Sequence, residues 1–302
     1  MHAKTGISQL ALLSYLGISK STWNEWQGRE NAETRHNHDT PRSNWVTPNE
    51  TRAVVDFCSA YGDLLRGYRY LAWLMMDMDV ACVQPSTVYN ILRKDGLFPK
   101  WAKTHDVKKK GFDQPLRPNE QWHTDFSYVR IHGVFYYFAC ILDGFSRKML
   151  VWDLFPSMEA LNIELLIMRA KELYPDAHAR LIHDNGKQFY ARNFLDLVSK
   201  LELEETATSP FHPQSDGKVE RAHRTFKAEE VRRNAYQDYG DAKQKMEAWV
   251  RFYNSERLHS ALEYLTPDEV FAGKKEERLA ERRRKLYNAN MARQAFWKRQ
   301  SA

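Results

Sequence analysis

From residue 119 onward the chain reads as strands before it reads as helices. QWHTDFSYVRI (121–131), GVFYYFACILD (133–143) and RKMLVWDLF (147–155) follow one another, with only His132-Gly133 and Gly144-Phe145-Ser146 at the joins. Runs rich in β-branched and aromatic residues, bounded by turn residues and joined this tightly, predict an antiparallel meander. An apolar helix is expected next, over 158–173. A short strand, ARLIHD (179–184), a helix near 190–200, a second short strand, LEET (203–206), and a polar loop, SPFHPQSDGK (209–218), come after it. A long helix should begin at about Lys218. Strands first, then strand and helix in alternation, predict a mixed α/β sheet with flanking helices.

The residues before this domain predict small all-helical units. Leu10, Leu12, Leu13 and Leu16 form one apolar face that stops at Gly17, and Ser19 can cap a second helix carrying Lys20, Thr22, Asn24 and Trp26. Two short helices around a glycine turn outline a helix-turn-helix, with a plain helical hairpin as the alternative. A second such outline spans 48–100. Pro48 and Glu50 open a helix to about Ala60, YRYLAWLMMDM forms the next, and Ser86 is the expected cap of a third, from which Thr87, Asn90, Arg93 and Lys94 face outward. Polar or basic, Pro- and Gly-containing stretches at 28–47 and 101–118 read as linkers. The expected division is therefore 1–40, 48–100, a basic linker at 101–118, a core domain at 119–238 and a helical basic region at 239–302.

Charge is unevenly spread along the chain. Net charge is +6, yet the ten Lys and Arg from Lys274 onward against three acids give that tail +7 by itself. A dense basic segment suits a polyanion such as DNA, and it equally suits a solvated helix face. Three cysteines with no CxxC pair exclude a disulfide framework and a cysteine zinc site; Cys58, Cys82 and Cys140 read as buried apolar residues. The longest uncharged apolar runs, such as 134–142, fall far short of the ~20 residues that cross a membrane. The start shows no secretory pattern, so a cytoplasmic, nucleoid-associated location is expected, with no membrane partner.

Three acids stand where a sheet core would not want them. Asp125 lies within a strand, Asp184 ends one, and Glu220 opens the helix after the polar loop. A strand carboxylate is costly unless it is paired or binds a cation. Each acid also has an ordinary reading: an edge residue facing water, a turn before Asn-Gly, a favourable charge at a helix start. Together at one sheet end they would make an all-oxygen cage for hard divalent ions, two Mg²⁺ with Mn²⁺ as a substitute, able to activate a water or a 3′-hydroxyl.

The spacing carries a resemblance. Asp184 and Glu220 are separated by 35 residues, and Asp125 precedes Asp184 by 59. WHTDFSYV, HDNGKQF and SPFHPQSDGKVERAHRTFK resemble the Asp-Asp-Glu motifs of the retroviral-integrase superfamily, whose catalytic domain has the ribonuclease-H-like fold. YNSERLHSALEYLTPDEVF, LGISKSTW and GYRYLAWLM…STVYNILRKDGL resemble segments of the second-frame protein, OrfB, of two-frame bacterial insertion-sequence transposases. The resemblance covers nearly the whole chain. It implies a DNA transposase in which Asp125, Asp184 and Glu220 are catalytic and metal-binding. The chemistry it implies is hydrolysis of a phosphodiester at an element's end, then attack by a 3′-hydroxyl on another phosphodiester.

It further implies double-stranded DNA partners (terminal repeats and target), a homo-multimer on DNA, and an upstream-frame OrfA product or fusion. Lys227 and Arg224 are expected on terminal DNA, with Asn185 and Gln188 near the cut. Lys20, Thr22, Asn24, Thr87, Asn90 and Arg93 are the expected groove contacts of the helix-turn-helix units. His183, before the second acid, reads as a plain strand residue. Three rival readings remain: a DNA-binding regulator without activity, a ribonuclease or resolvase on the same fold, and one half of a two-chain enzyme.

Overall fold

The structure is a computed structural model and describes residues 8–29, 42–61, 67–97, 114–184, 186–207 and 217–300. The chain divides into two compact units, residues 1–48 with 288–302, and residues 49–287.

In the first unit, α1 (Gln9–Tyr15) and α2 (Lys20–Arg29) form the expected pair. Gly17 adopts φ +67° at the turn, a conformation glycine takes without a Cβ penalty. Ser19 Oγ accepts from Thr22 N at 3.0 Å, the cap read from the sequence.

The second unit opens with α3 (Pro48–Tyr61, but for its first residue), α4 (Tyr68–Asp77) and α5 (Pro85–Lys94). Val54, Cys58, Leu71, Met75, Met76, Val88 and Leu92 are buried between them. The expected cap of α5, Ser86, lies two residues beyond the actual one. Gln84 is the N-cap and Pro85 the first helical residue, leaving Ser86 inside. Proline's fixed φ and missing N–H suit that first position. Cys82 is half-buried, where full burial was expected.

A core built on a five-stranded mixed sheet follows. Strands β1 (Gln121–Ile131), β2 (Val134–Asp143) and β3 (Met149–Phe155) form the meander. The β1–β2 connection has two residues, His132 (φ +45°) and Gly133 (φ +87°), both in the conformation that matches the right-handed twist of a hairpin. Helix α6 (Ala160–Leu173) returns the chain to β4 (Arg180–His183), a 3₁₀ turn at Lys187–Tyr190 leads into α7 (Arg192–Lys200), and β5 (Glu204–Ala207) closes the sheet. Strand order is β3-β2-β1-β4-β5; β1, β2 and β3 pair antiparallel, while β4 lies parallel to both β1 and β5.

Each face of the sheet has its own core. One joins Trp122, Phe126, Ile141 and Leu181 to Ile163, Ile167, Phe194 and Val198 of α6 and α7. On the other, Val129, Phe138, Cys140 and Leu142 meet α8 (Gly217–Phe226) and α9 (Tyr239–Ser255). Phe138 is fully buried, stacked on Phe226 with ring centres 4.1 Å apart.

The long helix expected from Lys218 is shorter than its pattern suggested. Five residues of π-helix, Lys227–Val231, follow α8, and Asp238 then caps α9 through Asp241 N. After α10 (Pro267–Phe271), the final helix α11 (Lys275–Gln300) carries the basic tail. Much of that charge is spent internally. Arg282 bonds Asp77, Arg278 pairs with Glu269, Lys285 with Asp79 and Lys275 with Glu263, while Arg293 is buried. Half of the tail's ten cations are thus committed to the fold. Among the described residues no helix is long and apolar enough to cross a membrane.

Candidate active site

Side chains alternate across a strand, so the faces of β1 can be assigned. Trp122 and Phe126 enter the core under α6, and Val129 and Ile131 the core under α8. Gln121, His123 and Asp125 therefore project toward α8. On β4, Leu181 belongs to the α6 side, and His183 stacks there on Phe189 with centroids 4.1 Å apart. Asp184, one residue on, falls to the α8 side.

The parallel register aligns the two acids. Gln121 pairs with Arg180, Trp122 with Leu181 and His123 with Ile182. Continued by two residues, past the end of β4 at His183, that offset leads from Asp125 to Asp184. Glu220 occupies the first turn of α8, whose buried face is Val219, Ala222, His223 and Phe226.

Each carboxylate has local partners. Asp125 Oδ1 accepts from Phe126 N at 2.7 Å, and its Oδ2 lies 3.4 Å from His223 Nδ1. Asp184 Oδ1 accepts from Gly186 N at 3.0 Å. Glu220 is exposed and accepts from Arg224 Nη2 at 2.9 Å. An exposed pair of this kind is worth at most ~1 kcal/mol, so it opposes movement of Glu220 only weakly. Among the described residues no three acidic, His or Cys side chains stand close enough together to hold an ion without moving. The donor set is nonetheless all carboxylate, carried on one face, which fits a hard divalent cation.

Several groups that bear on this site escaped the sequence reading. His223 is buried between Asp125 and Cys140, with Nε2 3.9 Å from Cys140 Sγ. Its position three residues after Glu220, one helical turn, was the available signal. Burial and the nearby Asp125 push the Cys140 thiol far above its ordinary range. His123, two residues before Asp125 and so on its face, is fully buried. Burial, then Lys218 and Arg147, hold it well below the usual imidazole range, hence neutral. Lys218 is pushed down to about 7 by burial and by Arg147, with Asp143 opposing. His183 Nε2 stands 2.8 Å from Glu205 Oε1 but lies off the line of a hydrogen bond. Its stacking on Phe189 agrees with a structural strand residue.

The expected DNA contacts are spread widely. Lys227 opens the π turn, a feature frequent at functional sites, and is half-buried. Asn185 and the side chain of Gln188 lie outside the described residues. On α2, Lys20 and Asn24 are exposed, whereas the Thr22 hydroxyl is 2.7 Å from Ser19 Oγ, within the cap. On α5, Asn90 and Arg93 are exposed and Thr87 is half-buried.

Residues 115–213 match the family model of an integrase core domain, and residues 201–267 match a second integrase core domain model. The chain is similar to the putative transposase InsK for insertion sequence element IS150 of Escherichia coli (strain K12), 25% identical over 154 residues, 51% of this chain and 54% of that protein. It is similar also to the transposase for insertion sequence element IS904 of Lactococcus lactis subsp. lactis (strain IL1403), 22% identical over 152 residues, 50% of this chain and 60% of that one. The match thus spans little more than half the length of these relatives. Among solved structures, the HTLV-2 integrase catalytic core domain in complex with magnesium aligns with a TM-score of 0.42 and 16% identity, over 52% of this chain and 98% of that one. The catalytic core domain of BIV integrase aligns with a TM-score of 0.40 and 23% identity, over 53% of this chain and 99% of that one.

Proposed function

We propose, for a chain that carries an integrase core domain of the insertion-sequence transposase kind, that it cleaves and joins DNA strands at the ends of a mobile element. The observation that supports this reading is the β1–β4 register. Extended two residues beyond its last pair, His123 with Ile182, it would bring Asp125 and Asp184 side by side, on the face against which the Glu220 helix packs.

Asp125, Asp184 and Glu220 are the residues that would hold Mg²⁺, or Mn²⁺ in its place. Two ions held there would supply Lewis acidity for a phosphodiester displacement. His223 keeps Asp125 turned toward α8. In the first step water attacks a backbone phosphorus, the P–O3′ bond breaks, and a free 3′-hydroxyl and a 5′-phosphate result. In the second, that 3′-hydroxyl attacks another phosphodiester, losing its proton as a new P–O bond forms and the displaced 3′-oxygen takes one up. Number and kind of phosphodiester bonds balance in the joining step, so it needs no nucleotide cofactor. Arg224 and Lys227 supply positive charge for terminal DNA, the exposed residues of α2 and α5 supply groove contacts, and the active form is a multimer, alone or with an upstream-frame product.

The test is strand cleavage and joining on labelled duplexes carrying the element's ends, with Mg²⁺, with EDTA, and with Asp184→Asn. That substitution keeps the side chain's size and removes its charge. Metal-dependent products lost in the variant, with duplex binding retained, are the expected result. Cleavage that persists in Asp184→Asn would remove that residue from the site.

A further inference from the structure

Among the described residues, buried donors beside the start of α8 outnumber the hydrogen bonds they make. His123 is fully buried and neither ring nitrogen has a hydrogen-bond partner. Arg147 Nη1 is likewise buried and unpaired. Among the described residues Lys218 Nζ reaches only Gln121 Oε1, at 3.4 Å. Asp143, a buried acid in this neighbourhood, is already largely occupied. It accepts from Asn119 N at 2.8 Å, Ser146 N at 2.7 Å and Ser146 Oγ at 2.6 Å.

These groups share one place. Gln121 and His123 project to the α8 side, and Gly144 N donates to Gln121 O at 2.7 Å. A Cβ built on Gly144 would stand 3.0 Å from His123 Nε2, so the β2–β3 turn closes directly over the ring. Lys218 and Arg147 both act electrostatically on His123, and Arg221 acts on Arg147. Arg147 itself holds φ +65°, a left-handed backbone that costs a residue with a Cβ ~1–2 kcal/mol. Each unmade buried hydrogen bond costs ~1–3 kcal/mol more. Three basic side chains share one buried carboxylate that has a single acceptor position left, a set an acceptor-rich anion would satisfy.

We infer that Lys218, Arg147 and Arg221 bind one phosphate at the start of α8. A tetrahedral oxyanion offers several acceptors at once and is the usual guest of an arginine fork. Lys218 precedes Glu220 by two residues. The phosphate is therefore that of a DNA strand passing beside the three carboxylates, an assignment that rests on the function proposed above.

The full-length protein is the material for the test, with two probes. Inorganic phosphate, against chloride at matched ionic strength, should raise the thermal unfolding temperature of the wild type. Lys218→Gln, Arg147→Gln and the exposed Arg221→Gln should each blunt that rise; Arg221→Gln leaves the interior intact if the other two fold poorly. In salt titrations of binding to a labelled duplex, each variant should flatten the slope of log K against log salt by up to ~0.9, the share of one phosphate. Exposed Arg283→Gln is the control for general loss of charge in the phosphate experiment.

Loss of the phosphate response together with a flatter DNA slope supports the site. Loss of the response with an unchanged slope assigns it to free phosphate and overturns the DNA assignment. Wild type that ignores phosphate, with variants of unchanged slope, overturns the site while DNA binding by the wild type leaves the proposed function standing. A phosphate response that the variants lose, in a protein that binds no duplex, keeps the site and overturns the function.

Discussion

Replacing Arg282 by methionine should unfold this protein more readily than any change in its exposed tail. Arg282 is 2% exposed. Its Nε and Nη2 bond the two oxygens of Asp77 at 2.9 and 2.5 Å, and Nη1 and Nη2 donate to the carbonyls of Glu263 and Tyr264 at 3.1 and 2.7 Å. The guanidinium also lies 5.0 Å from the ring centre of Trp73. Methionine keeps most of the stem but leaves one carboxylate and two carbonyls without these donors. Stripping one partner from a buried pair costs ~3–5 kcal/mol. Arg278, 3.4 Å from Asp77, still offers that acid a charge, which holds the total near the middle of the range. We expect a loss of ~4 kcal/mol in urea unfolding. The neighbouring, exposed Arg283→Met should stay within ~0.5 kcal/mol. Adding Asp77→Leu to Arg282→Met should recover part of the loss, because no charge is then stranded. A loss below ~1 kcal/mol for Arg282→Met would refute the reasoning, since the pair would then be no better than a surface one.

His223→Phe keeps the ring packing but removes the contact to Asp125, and strand cleavage should fall ~10–100-fold, with His223→Asn less affected; equal activity in the Phe variant would count against the contact. Gly144→Ala would place a Cβ 2.9 Å from Gln121 Cβ and 3.1 Å from Gln121 O, so urea unfolding should show a loss of ~1–3 kcal/mol. Burial alone would raise the Glu269 carboxyl, but the Thr266 amide and the Arg278 guanidinium hold it below its ordinary value. Its contribution is thus complete above the unfolded carboxylate range, ~4.3, and fades as pH falls through the lower folded value. The stability gap between wild type and Glu269→Gln should be constant above pH ~5.5 and close on acidification; a gap that widens in acid would invert the assigned sign.

The strands were legible because their alternation is local, and so were α1 to α4, whose glycine and proline stops lie inside the pattern. What pairs across a distance was not. Nothing near His123 or Arg180 announces that they belong to neighbouring parallel strands, since the register forms only after two strands and a helix intervene. The acids stood out because carboxylates are conspicuous in a sheet, while their neighbours His223 and Lys218 look like ordinary residues of an amphipathic helix. The tail shows the converse limit. Its charge was plain in the sequence, but the acids that consume Arg282, Arg278 and Lys285 lie near residues 77–79 and 269, too far along the chain for composition to reveal.

The parallel pairing of β1 with β4 also sets a clock. Asp125, Asp184 and Glu220 leave the ribosome in that order, and 94 residues separate the first from the last. At ~5–20 residues per second the interval is several seconds, during which β1 to β3 can pair with one another but the acids cannot assemble. Non-local strand pairing is slow by itself, because the closure entropy of the intervening chain precedes any reward. A chain that stops before α8 lacks Glu220. A nascent fragment that stops before α8 carries a folded hairpin and two acids without the third.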